Sequence, residues 1–323
     1  LSEKWAAKLA GNVEQLSLAD DDILIARTMT AVYALDIRSG RVIWQQDIAW
    51  HFSYEPVKAE NGILFLTDGK GALALNQSDG KVLWKQALRH PSGSEIVDAD
   101  QDLVAVNDPP YLIVYEAENG AFRWEKVVCR EPVQAYFFED NIVVPCDGLT
   151  AVDSLSGKTV WEIRADDGDD RIWKSAFADG VMYFSQDLEN ITGYDVENRK
   201  LLWKTPMAED YDSYQSYKVV SGNLLVTIDD RLCILNRDDG SNEWCTGDLI
   251  KPNNPTILEN VLYLFNGLRN GITAYDMLDG SQLGRLNFPT YRFISFENDK
   301  QLMTASNEHL IFAVGKRIYA YGK

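Results

Sequence analysis

Three histidines (His51, His90, His309), four cysteines (Cys129, Cys146, Cys233, Cys245) and one acidic run, Asp166-Asp167-Gly168-Asp169-Asp170, are where this sequence could bind metal, cross-link or attack a substrate. No two histidines stand at zinc-ligand spacing and no CxxC occurs, so a structural zinc site is not expected. The acidic run has the composition of a calcium loop. It lacks the alternating carboxylates and distal Glu that a seven-oxygen cage requires, and reads as a solvated loop. No nucleophile elbow, Walker loop, HExxH or GxGxxG is present. Asn76 and Asn190 begin Asn-x-Ser/Thr tripeptides, as chance alone would produce at this composition. The expectation is no catalytic residue, no metal and no cofactor.

The elements that would position these residues follow from a repeat. VYALDIRSGRVIW, LALNQSDGKVLW, LIVYEAENGAFRW, LTAVDSLSGKTVW, ITGYDVENRKLLW and LCILNRDDGSNEW close on Trp44, Trp84, Trp124, Trp161, Trp203 and Trp244, at spacings of 40, 40, 37, 42 and 41. A seventh copy, ITAYDMLDGSQLG, has Gly284 in the tryptophan place. An eighth begins at IYAYGK near the C-terminus, and its second half, LSEKWAAKL with Trp5, lies at the N-terminus. Each unit reads as short strands rich in β-branched and aromatic residues, bounded by Gly and Asp. The turns Ser39-Gly40, Asp79-Gly80, Asn119-Gly120, Ser156-Gly157, Asp239-Gly240 and Asp279-Gly280 carry glycine, which supplies the positive φ of a tight hairpin. Four antiparallel strands per repeat of about 40 residues make a propeller blade. The expected fold is all-β, an eight-bladed β-propeller forming one domain over 1–323. The segment 1–9 closes the blade formed by about 300–323, so that neither end leaves an open sheet edge.

The chain has 323 residues, 46% hydrophobic and 25% charged, with a net charge of −18. The carboxylate excess repels phosphate backbones and anionic lipid, so nucleic-acid binding is not expected. No apolar run is long enough to span a bilayer. The sequence starts at Leu1, which leaves open a leader, a lipid anchor or a further domain upstream.

The spacing from the small residue to tryptophan (Ala34 to Trp44, Ala74 to Trp84, Ala151 to Trp161, Gly193 to Trp203) resembles the tryptophan-docking motif of the PQQ-type, quinoprotein-like eight-bladed propellers. The resemblance covers essentially the whole chain. It implies that Trp5, Trp44, Trp84, Trp124, Trp161, Trp203 and Trp244 pack between blades, where a buried indole removes much apolar area from water. Val114, Ile234, Gly284 and Asn198-Arg199 depart from the pattern, and their blades are expected to dock less uniformly. One branch of the family holds PQQ and calcium beneath an adjacent Cys-Cys pair, which this sequence lacks. The resemblance therefore implies the non-catalytic, BamB-like branch: a scaffold, not an enzyme, that presents a loop-rich face to another protein. A glycan-binding or small-molecule-binding sensor, a reduced quinoprotein oxidoreductase and a domain cut from a longer receptor remain alternatives.

If Ile234 faces Trp244 across one hairpin, Cys233 faces Cys245, within disulfide reach. Cys129, before the first strand of unit four, and Cys146, after its second, form a further candidate pair. Two pairable couples suggest an oxidising compartment, periplasmic or extracellular, with the cytoplasm left open. Loops joining successive units carry the expected partner-binding residues Trp50, Tyr54, Tyr214, Tyr291 and Arg292, because recognition concentrates on loops over a rigid scaffold. Alignment of the units places Gln15, Glu55, Glu95, Gln134, Trp173, Ser216 and Asn253 early in the innermost strands. There they would line a water-filled channel in a monomeric ring.

Overall fold

The structure, a computed structural model, describes residues 1–20, 22–49, 57–90, 93–100, 102–129, 134–164, 171–172, 174–186, 190–206, 215–220, 222–228, 231–246, 252–266, 271–287 and 302–323. Its eight sheets are each four-stranded and antiparallel, the fold of an eight-bladed β-propeller, and the described residues contain no helix. Blade 1 runs from an inner strand Val13–Asp20 through Ile23–Thr28 and Ala31–Asp36 to an outer strand Val42–Asp47. Blades 2 to 7 repeat that order. Their inner and outer strands are Lys58–Glu60 and Val82–Ala87, Glu95–Asp100 and Phe122–Lys126, and Tyr136–Phe138 and Thr159–Arg164. Then come Ser175–Ala178 and Lys200–Pro206, Gln215–Val220 and Asn242–Cys245, and Pro252–Leu258 and Gln282–Asn287. In blade 8, Met303–Ala305, His309–Val314 and Arg317–Gly322 are completed by the N-terminal strand Ser2–Lys8, with Trp5 opposite Ala320. The described chain falls into two compact units. The first holds blades 8, 1, 2 and 3 with the turn Ser154–Gly157, and the second holds blades 4 to 7.

The apolar middle strands make the cores. In blade 2, Leu64, Phe65, Leu66, Leu73 and Leu75 are at most 2% exposed, because both faces of a middle strand are covered by neighbouring blades. Alternate residues therefore feed different cores: Leu64, Leu66, Leu73 and Leu75 pack with Ile25 and Trp44 of blade 1, and Phe65, Ala72 and Ala74 with Val104 and Tyr115 of blade 3.

Trp5, Trp44, Trp84, Trp124, Trp203 and Trp244 each stand opposite a residue on the third strand of their own blade and reach the turn of the next. Trp44 pairs with Ala34, and its Nε1 donates to Gln77 O at 2.8 Å. Trp5, Trp84, Trp124, Trp203 and Trp244 make the same bond to Ile37, Ala117, Ser154, Arg237 and Met277. The indole lies flat on the turn glycine. A Cβ on Gly80 would come within 2.5 Å of the Trp44 ring, and Gly40, Gly120, Gly157, Gly240 and Gly280 are equally crowded. Where the turn carries Arg199 instead, at φ 52°, Trp161 is less buried and meets the guanidinium 5.9 Å from its ring centre. At Gly284 the indole is absent and an added Cβ would meet open space.

Candidate functional site

Polar groups at the ends of the second strands organise the loops of the first unit. Thr28, Asp68 and Asp108 recur at 40-residue intervals. Thr28 Oγ1 accepts from Ala31 N at 3.0 Å and closes the following turn. Asp68, buried, accepts from Lys70 N and Gly71 N in its own turn, from Ala49 N in the preceding loop and from Lys85 Nζ. Burial pushes its carboxyl up, but Lys85 and the backbone donors more than offset this and hold it below the usual carboxylate range.

Asp108 is fully buried and takes Arg89 N and His90 N, each at 2.9 Å, and Ser94 Oγ at 2.8 Å. Ser94, His90 and Asp108 are the residue types of a hydrolytic triad, but the connectivity is wrong for one. The serine donates directly to the aspartate, and His90 Nδ1 lies 3.5 Å from the same oxygen. A triad needs the histidine between the other two. This arrangement is a loop clamp. Beside it an open groove of about 540 Å³ is lined by Leu88, Arg89, Ile113, Tyr115, Phe122 and Glu125. Arg89 stacks 4.4 Å over Tyr111 and pairs with Glu125 at 2.5 Å.

The inner strands of the first unit hold a buried charge nest. Arg27 is 2% exposed and donates from Nη2 to Thr67 O at 2.7 Å. Burial pulls its pKa down to about 10, against the attraction of Asp68, Glu95 and Glu14. Gln15, directly opposite Arg27, is 1% exposed. Glu95 is half-buried and stands opposite Asn107, whose buried Oδ1 has no hydrogen-bond partner among the described residues.

In the second unit, Gln134 and Ser175 join blades 4 and 5. Gln134 Oε1 accepts from Ser175 N at 2.7 Å, and Tyr136 OH donates to Ser175 O at 2.9 Å. Ser216 is half-buried on the inner strand of blade 6, and the backbone of Asn253 pairs with Phe265 in blade 7. Lys218, on the same inner strand as Ser216, donates to Pro255 O at 3.3 Å. Cys233 and Cys245 face each other with Cα atoms 4.0 Å apart and are disulfide-bonded. Cys129 and Cys146 are disulfide-bonded as well, and no cysteine is free. The rim residues Trp50, Tyr54, Tyr214, Tyr291 and Arg292, the channel residues Glu55 and Trp173, and the run 166–170 lie outside the described residues.

Sequence reasoning passed over Arg27, Asp68, Asp108 and Lys218. The 40-residue recurrence of Thr28, Asp68 and Asp108 was the available signal for the clamps. Arg27 had a weaker one, a cation inside a largely apolar strand, and Lys218, in a strand of mixed polarity, had none. Among the described residues no group of three His, Cys, Asp or Glu could hold a metal ion, and no helix is long and apolar enough to cross a membrane.

The family described as outer membrane protein assembly factor BamB matches over residues 28–163, 69–210 and 145–321. No curated protein matches by sequence search. Among solved structures, BamB from Moraxella catarrhalis is similar at a TM-score of 0.74 and 16% identity, covering 100% of this chain and 97% of that one. The computationally designed Ika8 protein is similar at 0.74 and 12% identity, covering 98% of each chain. A quinohemoprotein alcohol dehydrogenase from Pseudomonas putida is similar at 0.70 and 11% identity, covering 99% of this chain and 76% of that one. At these identities the structural likenesses show the fold alone.

Proposed function

This chain belongs to the family of the outer membrane protein assembly factor BamB, and on that premise we propose that it is a non-catalytic scaffold that binds another protein. The observation that carries this reading is the family match running along nearly the whole propeller, from residue 28 to residue 321. The polar geometry is in keeping with it. Among the described residues the most buried carboxylates, Asp68 and Asp108, accept from the backbone at Ala49 and at Arg89 and His90, and so tie the starts of two inter-blade loops to the second strands rather than facing a substrate. The partner surface in this reading is the loop rim with Trp50, Tyr54, Tyr214, Tyr291 and Arg292. The compartment is periplasmic, in association with the outer membrane. The Cys233–Cys245 bond suits such an oxidising environment.

The quinoprotein reading fits the residues less well. The family's dehydrogenases hold calcium with the quinone, and the described residues offer no cluster of three metal-binding side chains. A capture experiment from cell-envelope extract separates the readings. Wild type is expected to retain one envelope protein that a variant with Trp50, Tyr54, Tyr214 and Tyr291 all changed to alanine does not. Equal retention by the folded variant would remove the rim from the proposal. Dye-linked alcohol oxidation after addition of PQQ and calcium would replace the scaffold reading with the enzymatic one.

A further inference from the structure

Lys218 stands in the inner strand of blade 6, opposite Leu225 on the second strand, so the two side chains share a face. Leu225 belongs to the apolar core between blades 6 and 7, with Leu232, Ile234, Ile257, Leu262 and Leu264. The lysine stem follows that seam, and its amine meets one acceptor, the carbonyl of Pro255 on the inner strand of blade 7. An ammonium carries three N–H donors, so two remain.

Among the described residues no counter-charge pairs with Lys218. The inner strands of blades 5 and 7 and the second strand of blade 6 (Asn223–Ile228) contain no ionisable residue. On its own strand the one other ionisable residue is Tyr217, which packs into the core between blades 5 and 6. Burial alone pulls the pKa of Lys218 down to about 8. At neutral pH the amine is still mainly protonated, and part of the residue's surface remains accessible. A desolvated cation with spare donors, on a residue that is not fully buried, is half of an ion pair.

We propose that Lys218, at the seam of blades 6 and 7, is a binding site for a singly charged carboxylate. The carboxylate accepts the two remaining N–H groups, while Pro255 O holds the third. A dianion such as phosphate fits worse. Its desolvation cost grows steeply with charge, and a lone ammonium lacks the fork that arginine offers to phosphate. The carboxylate can come from a free small acid or from an Asp or Glu of a bound polypeptide. The inference stands on Lys218 and its neighbours and does not rest on the scaffold reading.

The test uses the full chain labelled with 13C-lysine, with the Lys218 Cε signal identified by its loss in K218M. Without ligand that signal is expected to titrate near pH 8. Saturating sodium acetate is expected to raise its midpoint by at least one unit, which by linkage means acetate binds at least about sevenfold tighter at pH 6.5 than at pH 9.5. Inorganic phosphate at equal concentration is expected to shift it less. Acetyl-Gly-Glu-Gly-amide binding at least as tightly as acetate assigns the site to a polypeptide side chain, and weaker peptide binding assigns it to a free acid. An ordinary lysine titration, no response to acetate, or stronger binding of phosphate would each overturn the proposal. All three are read on wild type, so the test survives if K218M does not fold and K218Q supplies the assignment.

Discussion

The inner strands of the two units share one backbone pattern and carry opposite electrostatics. In blades 8, 1, 2 and 3 they hold Glu14, Asp20, Glu60, Glu95, Asp98 and Asp100 against a single cation, Lys58. In blades 4 to 7 they hold one charged residue, Lys218. The first unit answers its acids with Arg27, supplied by a second strand. Farther along the inner strands of blades 2 and 3 it leaves some of them crowded, and burial together with Asp100 and Asp98 pushes the Glu60 carboxyl up. Among the described residues the second unit leaves its inner-strand cation without a counter-charge. The lesson is that a blade's stability resides in its apolar middle strands and the tryptophan contacts. The inner strands are released from that duty and can differ in charge while the ladder stays the same.

That contrast can be broken in order of expected effect. Arg27→Met should be the most damaging change, because it strands buried carboxylates without their cation. A loss of about 3–5 kcal/mol is expected in urea unfolding. A loss near zero would show that the nest is hydrated and the first unit's electrostatics are no different in kind. Gly80→Ala should cost about 2–4 kcal/mol, from the left-handed backbone at φ 71° and from displacement of the Trp44 ring. An unchanged melting temperature would mean the indole can shift freely.

Lys218→Met should act in the opposite sense and stabilise by about 1–3 kcal/mol at pH 7, since it removes a desolvated charge. The sign follows from linkage. A base whose folded pKa is lowered to about 8 carries its penalty in full below that pH and sheds it as pH rises toward the unfolded value. The advantage of the methionine variant should therefore shrink between pH 8 and pH 10, and a constant advantage would locate the effect in packing instead. The smallest effect is expected at Arg199→Gly, a gain of roughly 0.5 kcal/mol. Relief of the left-handed strain at φ 52° is partly offset by loss of the cation over Trp161. Destabilisation by that change would make Arg199 a real substitute for the glycine turn of the other blades.

The sequence by itself determined the blade count, the closure of blade 8 by the N-terminal strand and the facing of Ala34 with Trp44 or Ala74 with Trp84. These are matters of local spacing: a two-residue alternation, a tight turn and a fixed repeat length suffice to set them. The tertiary structure alone decided what the polar residues are for. Arg27 donates to a residue 40 positions away in the next blade, and Lys218 to one 37 positions away. Ser94, His90 and Asp108 form a loop clamp because the serine reaches the aspartate directly. The physical reason is that burial, counter-charge and hydrogen-bond direction are set by atoms from other blades. The strand pattern of one repeat records which face a side chain takes and nothing of what it will meet there.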